Sequence, residues 1–447
     1  MPRSTRPYIV GAVTVAGASM LATTATVAQS SNEETTLTIA TVDNREMVRM
    51  QELASVYEEA NPGVTVEFET LGESTLRQRV ITDIATDGGG YDIVTIGTYE
   101  VPIWGEREWL LPLDDMPADY NADDLLPAIS EALSYEGTQY ASPFYGESTF
   151  TMYRTDLFDE AGLEMPEQPT WEFIMEAAEQ LDSEEVNGVC LRGAPGWGEN
   201  VALITAMANS YGARWFDDAY TPQLDSAEWR NALGDYTSML QAFGPDNAAE
   251  LGYNGNLELF QEGSCAIWVD ATVAGSALTD EDESRVANEV GFALAPGTGL
   301  EVNSNWLWAW SLAVPESTDA PEAAKDFVAW ATSQEYTELV AAEDGWANVP
   351  PGTRTSLYET QEYTDAAPFA ELALQSIESA DPNNPTVEPV PYTGIQYVAI
   401  PSFPSIGTAV GNRFALAVEG EITVEEALEN AQWVTDTVIQ QSLTADE

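Results

Sequence analysis

The side chains able to do chemistry in this chain of 447 residues form a restricted set: 75 Asp and Glu, 15 Lys and Arg, 18 Tyr, two Cys and no His. Without histidine, Ser-His-Asp triads, Cys-His dyads and His-ligated zinc sites are excluded. Lys325 is the sole lysine and follows Ala324, so a Gly-Lys-Thr phosphate loop is excluded as well. Carboxylates, arginines, tyrosines and cysteines remain, and the sequence predicts neither a metal nor a cofactor.

The formal net charge of −60 restricts the partners of the chain. Such an acidic surface repels nucleic-acid phosphates and anionic bilayers, so neither is predicted as a partner. Self-repulsion also destabilises a compact acidic protein at low salt, whereas the Debye length falls to about 3 Å in 1 M salt. We interpret the composition as adaptation to a very salty medium. The alternative is an ordinary acidic protein, which the near-absence of lysine disfavours.

The N-terminus has the pattern of a secretory signal peptide. Arg3 and Arg6 precede an uncharged stretch at 8–30, and the small residues Thr26-Val27-Ala28 offer a cleavage site. The alternative is a membrane anchor, but the stretch is poor in Leu, Ile and Phe. We therefore predict that residues 1–28 are a signal peptide and that the mature protein is exported to the periplasm or the extracellular medium.

The two cysteines, Cys190 and Cys265, are predicted to form a disulfide, because an exported protein meets an oxidising compartment. The alternative is a pair of buried free thiols. A bond between them would close a loop of about 75 residues, worth about 4 kcal/mol in the chain-entropy model.

Strand and helix patterns alternate in the first part of the mature chain and predict an α/β fold. Strands are expected at 36–42, 64–68 and 91–96, with one amphipathic helix between each pair. Such a βαβαβ unit forms a parallel sheet, and ligands bind outside the carboxyl ends of its strands. Those ends lie at Asp43-Asn44-Arg45 and Thr98-Tyr99-Glu100.

A second α/β region follows. Helices are expected after Thr170, near 200–211 and at 226–243, and strands at 265–269, 290–294 and 306–314. A capping box at Thr423-Val424-Glu425-Glu426 opens a C-terminal helix. The length of the chain agrees with about two to three domains or one large two-lobed unit.

Several motifs resemble those of the extracellular solute-binding proteins of ABC importers, the class that includes the maltose-binding protein. They are Gly90-Tyr91-Asp92-Ile93-Val94, Tyr153-Arg154-Thr155-Asp156-Leu157-Phe158, Ala161-Gly162-Leu163, Pro169-Thr170-Trp171-Glu172 and Phe260-Gln261-Glu262-Gly263-Ser264-Cys265-Ala266. Further segments are similar to the sorbitol/mannitol-binding branch of that family. These are 77–79, 99–105, 195–200, 306–310 and 391–394.

The resemblance implies a two-lobed periplasmic-binding-protein fold, each lobe a mostly parallel sheet flanked by helices, with a hinge of crossing segments. Residues 29–145 are expected to form the first part of the first lobe, 146–304 the first part of the second lobe, and 305–355 the return to the first lobe. Residues 356–447 are assigned mainly to the second lobe, with a hinge crossing and the C-terminal helices. The implied function is capture of a polyol or small sugar in the interlobe cleft by a monomer, which closes by a hinge motion and delivers the ligand to permease subunits.

Polyol hydroxyls need carboxylates, amides and arginines, and polyol C–H surfaces need aromatic faces. The predicted ligand-binding residues, several of them implied by the resemblance, are Asn44, Tyr99, Glu100, Tyr145, Glu147, Trp197, Glu199, Asp270, Trp308, Arg354 and Tyr392.

Simpler roles stay open for several residues. Asn44 can be a helix cap, Glu147 an interlobe contact, and Trp197 loop packing. Trp306 and Trp310 share a strand face with Trp308, and three such indoles are more often core than site. Arg45, like Asn44, can be part of a helix cap, and Arg77 and Arg79 can equally well pair with surface acids.

The strongest rival function is a secreted glycoside hydrolase, because a pair of carboxylates suffices for that reaction. A binder of oligosaccharides or of amino acids is the other alternative. The motif order favours a binding protein over an enzyme.

Overall fold

The computed structural model describes residues 34–445, so the predicted signal peptide at 1–28 lies outside the described residues. Its strands are β1 (Thr35–Val42), β2 (Val64–Leu71), β3 (Ile93–Gly97), β4 (Ser134–Tyr135), β5 (Thr138–Gln139), β6 (Ala141–Glu147), β7 (Thr149–Arg154), β8 (Ile267–Ala271), β9 (Val290–Leu294) and β10 (Trp308–Ala313).

Helices connect most of the strands and make up most of the second half of the chain. They are α1 (Arg45–Ala60), α2 (Glu73–Ala85), α3 (Glu100–Glu106), α4 (Pro127–Ala132), α5 (Thr155–Ala161), α6 (Trp171–Leu181), α7 (Asn200–Ser210), α8 (Ala227–Phe243), α9 (Tyr253–Gln261), α10 (Ala274–Thr279), α11 (Pro321–Ala331), α12 (Gln334–Glu343), α13 (Thr355–Glu359), α14 (Gln361–Ala366), α15 (Ala370–Glu378), α16 (Phe403–Val418) and α17 (Val424–Ala445). Between residues 34 and 445, none of them is long and apolar enough to cross a lipid bilayer.

The first sheet has the strand order β2-β1-β3-β10-β6. β1 is parallel to β2 along its whole length and parallel to β3, so the predicted βαβαβ unit is confirmed. β10 is antiparallel to both β3 and β6. The strands β3, β6 and β10 are buried throughout and form the centre of the first core.

The second sheet has the order β8-β7-β9, and β7 is antiparallel to both neighbours. This differs from the expected mostly parallel sheet. Parallel pairing involving these strands is found as isolated bridges, such as Cys190 with Trp268. The antiparallel pairing follows from the edge of the sheet at which β7 begins. β8 and β9 both end at that edge, so they run in the opposite direction to β7. β10 has the same relation to β3 and β6 in the first sheet.

The chain passes from the first sheet to the second at Ser148, between β6 and β7, and returns with β10. The C-terminal helices α16 and α17 pack against α7 and α8 of the second region. The lobe boundaries expected at 145/146, 304/305 and 355/356 remain predictions, because strand ends do not define domain limits.

Side-chain caps explain where several helices begin. Thr170 Oγ1 accepts a hydrogen bond from Phe173 N at 3.1 Å, as the sequence predicts for α6. Before α17, Glu426 N donates to Thr423 Oγ1 at 3.2 Å and Thr423 N donates to Glu426 Oε2 at 2.9 Å. These reciprocal bonds are the predicted capping box.

The predicted disulfide between Cys190 and Cys265 is present, with a Cα–Cα distance of 6.2 Å. Both cysteines are fully buried. Cys265 lies just before β8, so the bond fastens the segment around Cys190 to the second sheet. That segment leads directly to Arg192, which lies at the cleft.

We expect the unfolding midpoint to rise strongly between low and molar NaCl. With 15 basic residues against 75 acids, most carboxylates lack a basic partner, and screening shortens the range of their repulsion. Thermal melts in increasing NaCl measure the effect. Sucrose, which favours burial without screening charge, is the control. A midpoint that does not change with salt would contradict adaptation to salt.

Candidate functional site

A cavity of about 320 Å³ lies between the facing edges of the two sheets. It is lined by the ends of β1 and β6, the first turns of α2 and α9, the loop before α7 and the start of β10. Its polar and aromatic lining residues include Asp43, Asn44, Glu73, Arg77, Tyr145, Glu147, Arg192, Trp197, Glu199, Tyr253, Asn254, Trp306, Trp308, Trp310 and Gln396. The cavity is at the small end of the ~300–1,000 Å³ range of ligand pockets.

Four tryptophans form an aromatic wall: Trp197, Trp306, Trp308 and Trp310. Trp308 and Trp310 lie two residues apart on β10, so they share a face, with ring centroids 5.5 Å apart. Gly97 on β3 makes room for Trp308, because a Cβ at that position would lie 2.0 Å from the indole. The sequence predicted that at least one of the alternating indoles of Trp306, Trp308 and Trp310 reaches the cleft, and all three line the cavity.

Arg77 lies against this wall. Its guanidinium carbon is 4.1 Å from the Trp197 ring centroid and 4.8 Å from that of Trp310. It donates to Glu100 Oε1 at 2.5 Å and to Glu73 Oε1 at 3.0 Å. Burial alone would lower the pKa of Arg77, but Glu100 and Glu73 outweigh it and raise the pKa. Arg79 instead is exposed and pairs with Glu69 at 2.8 Å.

A second guanidinium, that of Arg192, is held by Asp270. Both Asp270 oxygens accept from Arg192 Nε at 3.0 Å, and Oδ1 also accepts from Nη2 at 2.6 Å. Asp270 further accepts from Trp268 Nε1 at 3.1 Å and is completely buried. Arg192 lines the cavity, and Asp270 is not among its lining residues. The structure therefore places Asp270 behind Arg192, as its positioning residue, whereas the sequence predicted a direct ligand contact.

Glu147, the last residue of β6, lines the cavity and is buried. No side chain among residues 34–442 forms a hydrogen bond or ion pair with its carboxylate. Burial raises the pKa of Glu147 to about 8; Arg192 opposes this, and Asp270 and Glu73 add to it. A carboxyl that is mostly protonated at neutral pH therefore lines the cavity.

Glu199 is a second carboxyl at the cavity that has an acceptor oxygen without a hydrogen-bond partner. Its Oε2 is buried and has no hydrogen-bond partner in the described part of the chain, although Arg192 Nη1 lies 3.7 Å away. Burial raises the pKa of Glu199 to about 7, against the effect of Arg192. Leaving a buried acceptor unpaired is costly, so a ligand with hydroxyl donors would satisfy it.

Asn44 serves in two roles. Its Oδ1 accepts from Met47 N at 3.0 Å and caps α1, while its Nδ2 donates to Tyr145 OH at 2.9 Å. Both interpretations of Asn44 are thus compatible with the structure. Burial and Glu147 raise the pKa of Tyr145, so the phenol stays protonated and can donate a hydrogen bond into the cavity.

Besides Asp270, four predicted residues do not line this cavity in the described structure. Tyr99 and Glu100 line a separate, second cavity on the other side of Arg77. Tyr392 OH accepts from Trp215 N at 3.0 Å, within the second region. Arg354 is buried and donates to Asn121 O at 3.1 Å and Thr332 O at 3.0 Å. These two bonds tie Arg354 to the first region, while its buried Nε has no hydrogen-bond partner in the described chain, and a ligand contact of Arg354 stays a prediction.

Sequence reasoning missed Glu73, Arg192, Tyr253, Asn254 and Gln396, which line the cavity. Glu73 opens α2 just after β2, so the strand-end rule that found Asn44 also applies to it. Arg192 has no comparable signal, because its place is set by Asp270, a residue 78 positions away.

The two sides of the cleft contact each other at its mouth. Arg45, at the start of α1, pairs with Asp280 at 3.1 Å and with Glu283 at 2.7 Å, both just after α10. It also donates to Asn348 Oδ1 at 2.7 Å. Asn254 Nδ2, at the start of α9, donates to Asp43 O at 3.1 Å. Arg45 is therefore a bridging residue outside the cavity.

The cavity combines carboxyl acceptors, guanidinium, amide and phenol donors, and indole faces. Such a set suits a small neutral ligand with many hydroxyls and exposed C–H surface.

Comparison with known proteins gives a consistent result. The family model for bacterial extracellular solute-binding proteins matches residues 43–338. The mannitol-binding protein of Pseudomonas aeruginosa is 52% identical over 396 residues, which cover 88% of this chain and 91% of that protein. A crystal structure of an ABC transporter solute-binding protein from Agrobacterium vitis with bound D-mannitol is 55% identical, with a TM-score of 0.90, over 91% of this chain and 99% of that one.

A more distant structure supports the fold alone. The solute-binding protein of Agrobacterium radiobacter in complex with ribitol is 24% identical, with a TM-score of 0.80, over 91% of this chain and 99% of that one.

Proposed function

Because the chain belongs to the family of bacterial extracellular solute-binding proteins, we propose that it captures D-mannitol or a closely related acyclic polyol for an ABC importer. The family binds solutes, so the prediction of a binding protein and not an enzyme is confirmed, and the hydrolase alternative is set aside. The two mannitol-related proteins, at 52% and 55% identity, support the polyol.

The observation that carries the proposal is the composition of the small cavity. An acyclic polyol has a hydroxyl on every carbon, so each one needs a hydrogen-bond partner once water is excluded. Glu199 has a buried acceptor oxygen free for these hydroxyls, and the Glu147 carboxyl and the Tyr145 phenol also line the cavity. The wall of tryptophans covers the C–H edge of the carbon chain.

The same cavity disfavours the two other binding alternatives. An oligosaccharide needs more room than about 320 Å³. An amino acid needs a cation for its carboxylate. Both guanidinium groups that line the cavity, Arg77 and Arg192, already pair with carboxylates of the described chain.

We further propose that the protein works as a monomer outside the cytoplasmic membrane and presents the ligand to permease subunits. The family supports the extracellular location, and the contacts across the cleft mouth support closure around the ligand.

D-Mannitol is expected to bind with a stoichiometry of one and without turnover. A ligand that binds only the folded state stabilises it by about 2.7 kcal/mol at a hundredfold excess over its Kd. Calorimetry and thermal melts in molar NaCl measure both effects, with sorbitol and ribitol as related polyols and with maltotriose and glutamate as controls. Absence of heat with every polyol, together with cleavage of a disaccharide, would replace this proposal by the hydrolase.

A further inference from the structure

The chain has a second cavity that the proposed function does not use. It measures about 850 Å³ and lies between α2 and α3 on one side and α16 with its preceding loop on the other. Aromatic and polar residues line it, including Trp104, Trp109, Gln78 and Asn412. Gln78 and Asn412 are exposed, so this cavity opens to solvent.

Two side chains line both cavities, Arg77 and Trp197. The Arg77 guanidinium lies over the Trp197 ring, with the guanidinium carbon 4.1 Å from the ring centroid. The remaining contacts fix this side chain in place. Glu73 and Glu100 hold its nitrogens from two directions, and Trp308 and Trp310 lie 4.9 and 4.8 Å from its guanidinium carbon. The pair therefore forms a rigid partition between the two cavities.

We infer that Arg77 determines ligand length, and that the second cavity is a latent subsite for a glycosyl unit attached to the polyol. This inference rests on the proposed polyol function. With Arg77 in place, the ligand ends at the partition. Without it, Trp197 remains, but the space that Arg77 vacates beside the indole ring joins the two cavities, and a polyol bearing one sugar reaches Trp104, Trp109 and Asn412.

The charge of Arg77 is not what excludes the longer ligand, because two carboxylates already neutralise it. The excluding feature is bulk held in a fixed position. A side chain of similar length without charge should therefore preserve the partition, whereas a short one should remove it. Methionine is suitable for the first purpose, since it is unbranched and adapts to irregular gaps.

The experiment compares Arg77→Ala with Arg77→Met, both combined with Glu100→Gln so that the buried Glu100 carboxylate does not remain unpaired. The amide introduced at 100 can still accept from Gly97 N, which donates to Glu100 at 3.0 Å. Glu73 is 18% exposed and keeps access to water. The probes are D-mannitol and glucosyl mannitol, a mannitol carrying one glucose unit, measured by calorimetry.

Wild type is expected to bind mannitol and to bind glucosyl mannitol at least about 100-fold more weakly. The alanine double variant should bind glucosyl mannitol at least about tenfold more tightly than wild type does, with weaker mannitol binding, while the methionine double variant shows no gain. Arg79→Ala is the matched control, because Arg79 lies on the same helix, is 56% exposed and lines neither cavity. It should behave as wild type with both probes.

No gain in the alanine double variant, or an equal gain in the methionine double variant, would overturn the inference. Wild-type binding of both probes with equal affinity would also overturn it. Melting curves establish that each variant folds, and Arg77→Ser replaces the alanine variant if that one does not. Failure of the wild type to bind mannitol contradicts the proposed function instead, so the two failures are distinguishable.

Discussion

Replacing Glu147 by Gln is expected to stabilise the protein at pH 8 and, in the same variant, to weaken polyol binding. Glu147 is buried at the cavity without a hydrogen-bond partner in the described chain, and its pKa is raised to about 8 from the ordinary 4.5. A folded-state pKa above the unfolded value means that the folded protein holds the proton more tightly. Between pH 4.5 and 8, stability therefore falls as the pH rises.

The amide has no proton to lose, so Glu147→Gln should remove this part of the pH dependence. Each unit of pKa corresponds to about 1.4 kcal/mol, so the gain should approach about 4 kcal/mol at pH 8 and vanish near pH 4.5. Binding should weaken by about twofold to tenfold, because the amide alters one hydrogen bond to a mostly uncharged carboxyl, and such a bond contributes about 0.5–1.5 kcal/mol.

Urea unfolding from pH 4.5 to 9 in molar NaCl, with calorimetry at each pH, measures both effects. Glu301→Gln is the matched control, since it removes the same charge from an exposed loop. If the stability curves of Glu147→Gln and wild type run parallel over this pH range, Glu147 is not the buried, proton-binding carboxyl that the structure describes.

Replacing Asp270 by Asn is expected to destabilise the protein by about 3–5 kcal/mol, because removing one partner leaves the buried Arg192 charge unpaired. Asp270 is fully buried and accepts three of its hydrogen bonds from Arg192. The same change should weaken polyol binding, since Arg192 lines the cavity and Asp270 orients it.

A double-mutant cycle of Asp270→Asn and Arg192→Met separates pairing from packing. Together the two changes should destabilise the protein by less than the sum of the single changes, because the double variant no longer buries the Arg192 charge without Asp270. The matched control is the exposed pair Arg79 and Glu69, which lie 2.8 Å apart. Loss of this pair should lower the free energy of unfolding by about 0–1 kcal/mol. Additive single effects in the buried pair would contradict the assigned role of Asp270.

The sequence predicted those parts of the site that depend on local rules. Asn44 follows a parallel strand, and such strands end at one edge of the sheet. Alternation along one segment likewise predicts that the side chains of Trp306, Trp308 and Trp310 share one face of a strand. Glu147 was found only through resemblance, because nothing in its neighbours indicates that it lacks a partner.

The remaining parts depend on contacts between distant segments. Arg192 and Asp270 lie 78 positions apart, and no local pattern pairs them. Arg354 lies outside the first cavity and donates to the carbonyls of Asn121 and Thr332, and nothing in its sequence neighbours indicates these contacts. The antiparallel second sheet was missed for a similar reason. Its direction follows from where β7 enters, and strand periodicity contains no information about that.

The bridge from Arg45 to Asp280 and Glu283 has a kinetic consequence. These bonds span the mouth of the cleft, so separating α1 from α10 must break them before a solute can leave. They favour the shut conformer whether or not the cavity is filled, and a larger population of that conformer raises the apparent affinity. Part of the dwell time of a bound solute is therefore set by residues that never contact it. Glu283 is 41% exposed, so added salt should weaken its ion pair with Arg45 more than it weakens the buried contacts inside the cavity. Higher ionic strength should therefore shorten the dwell time.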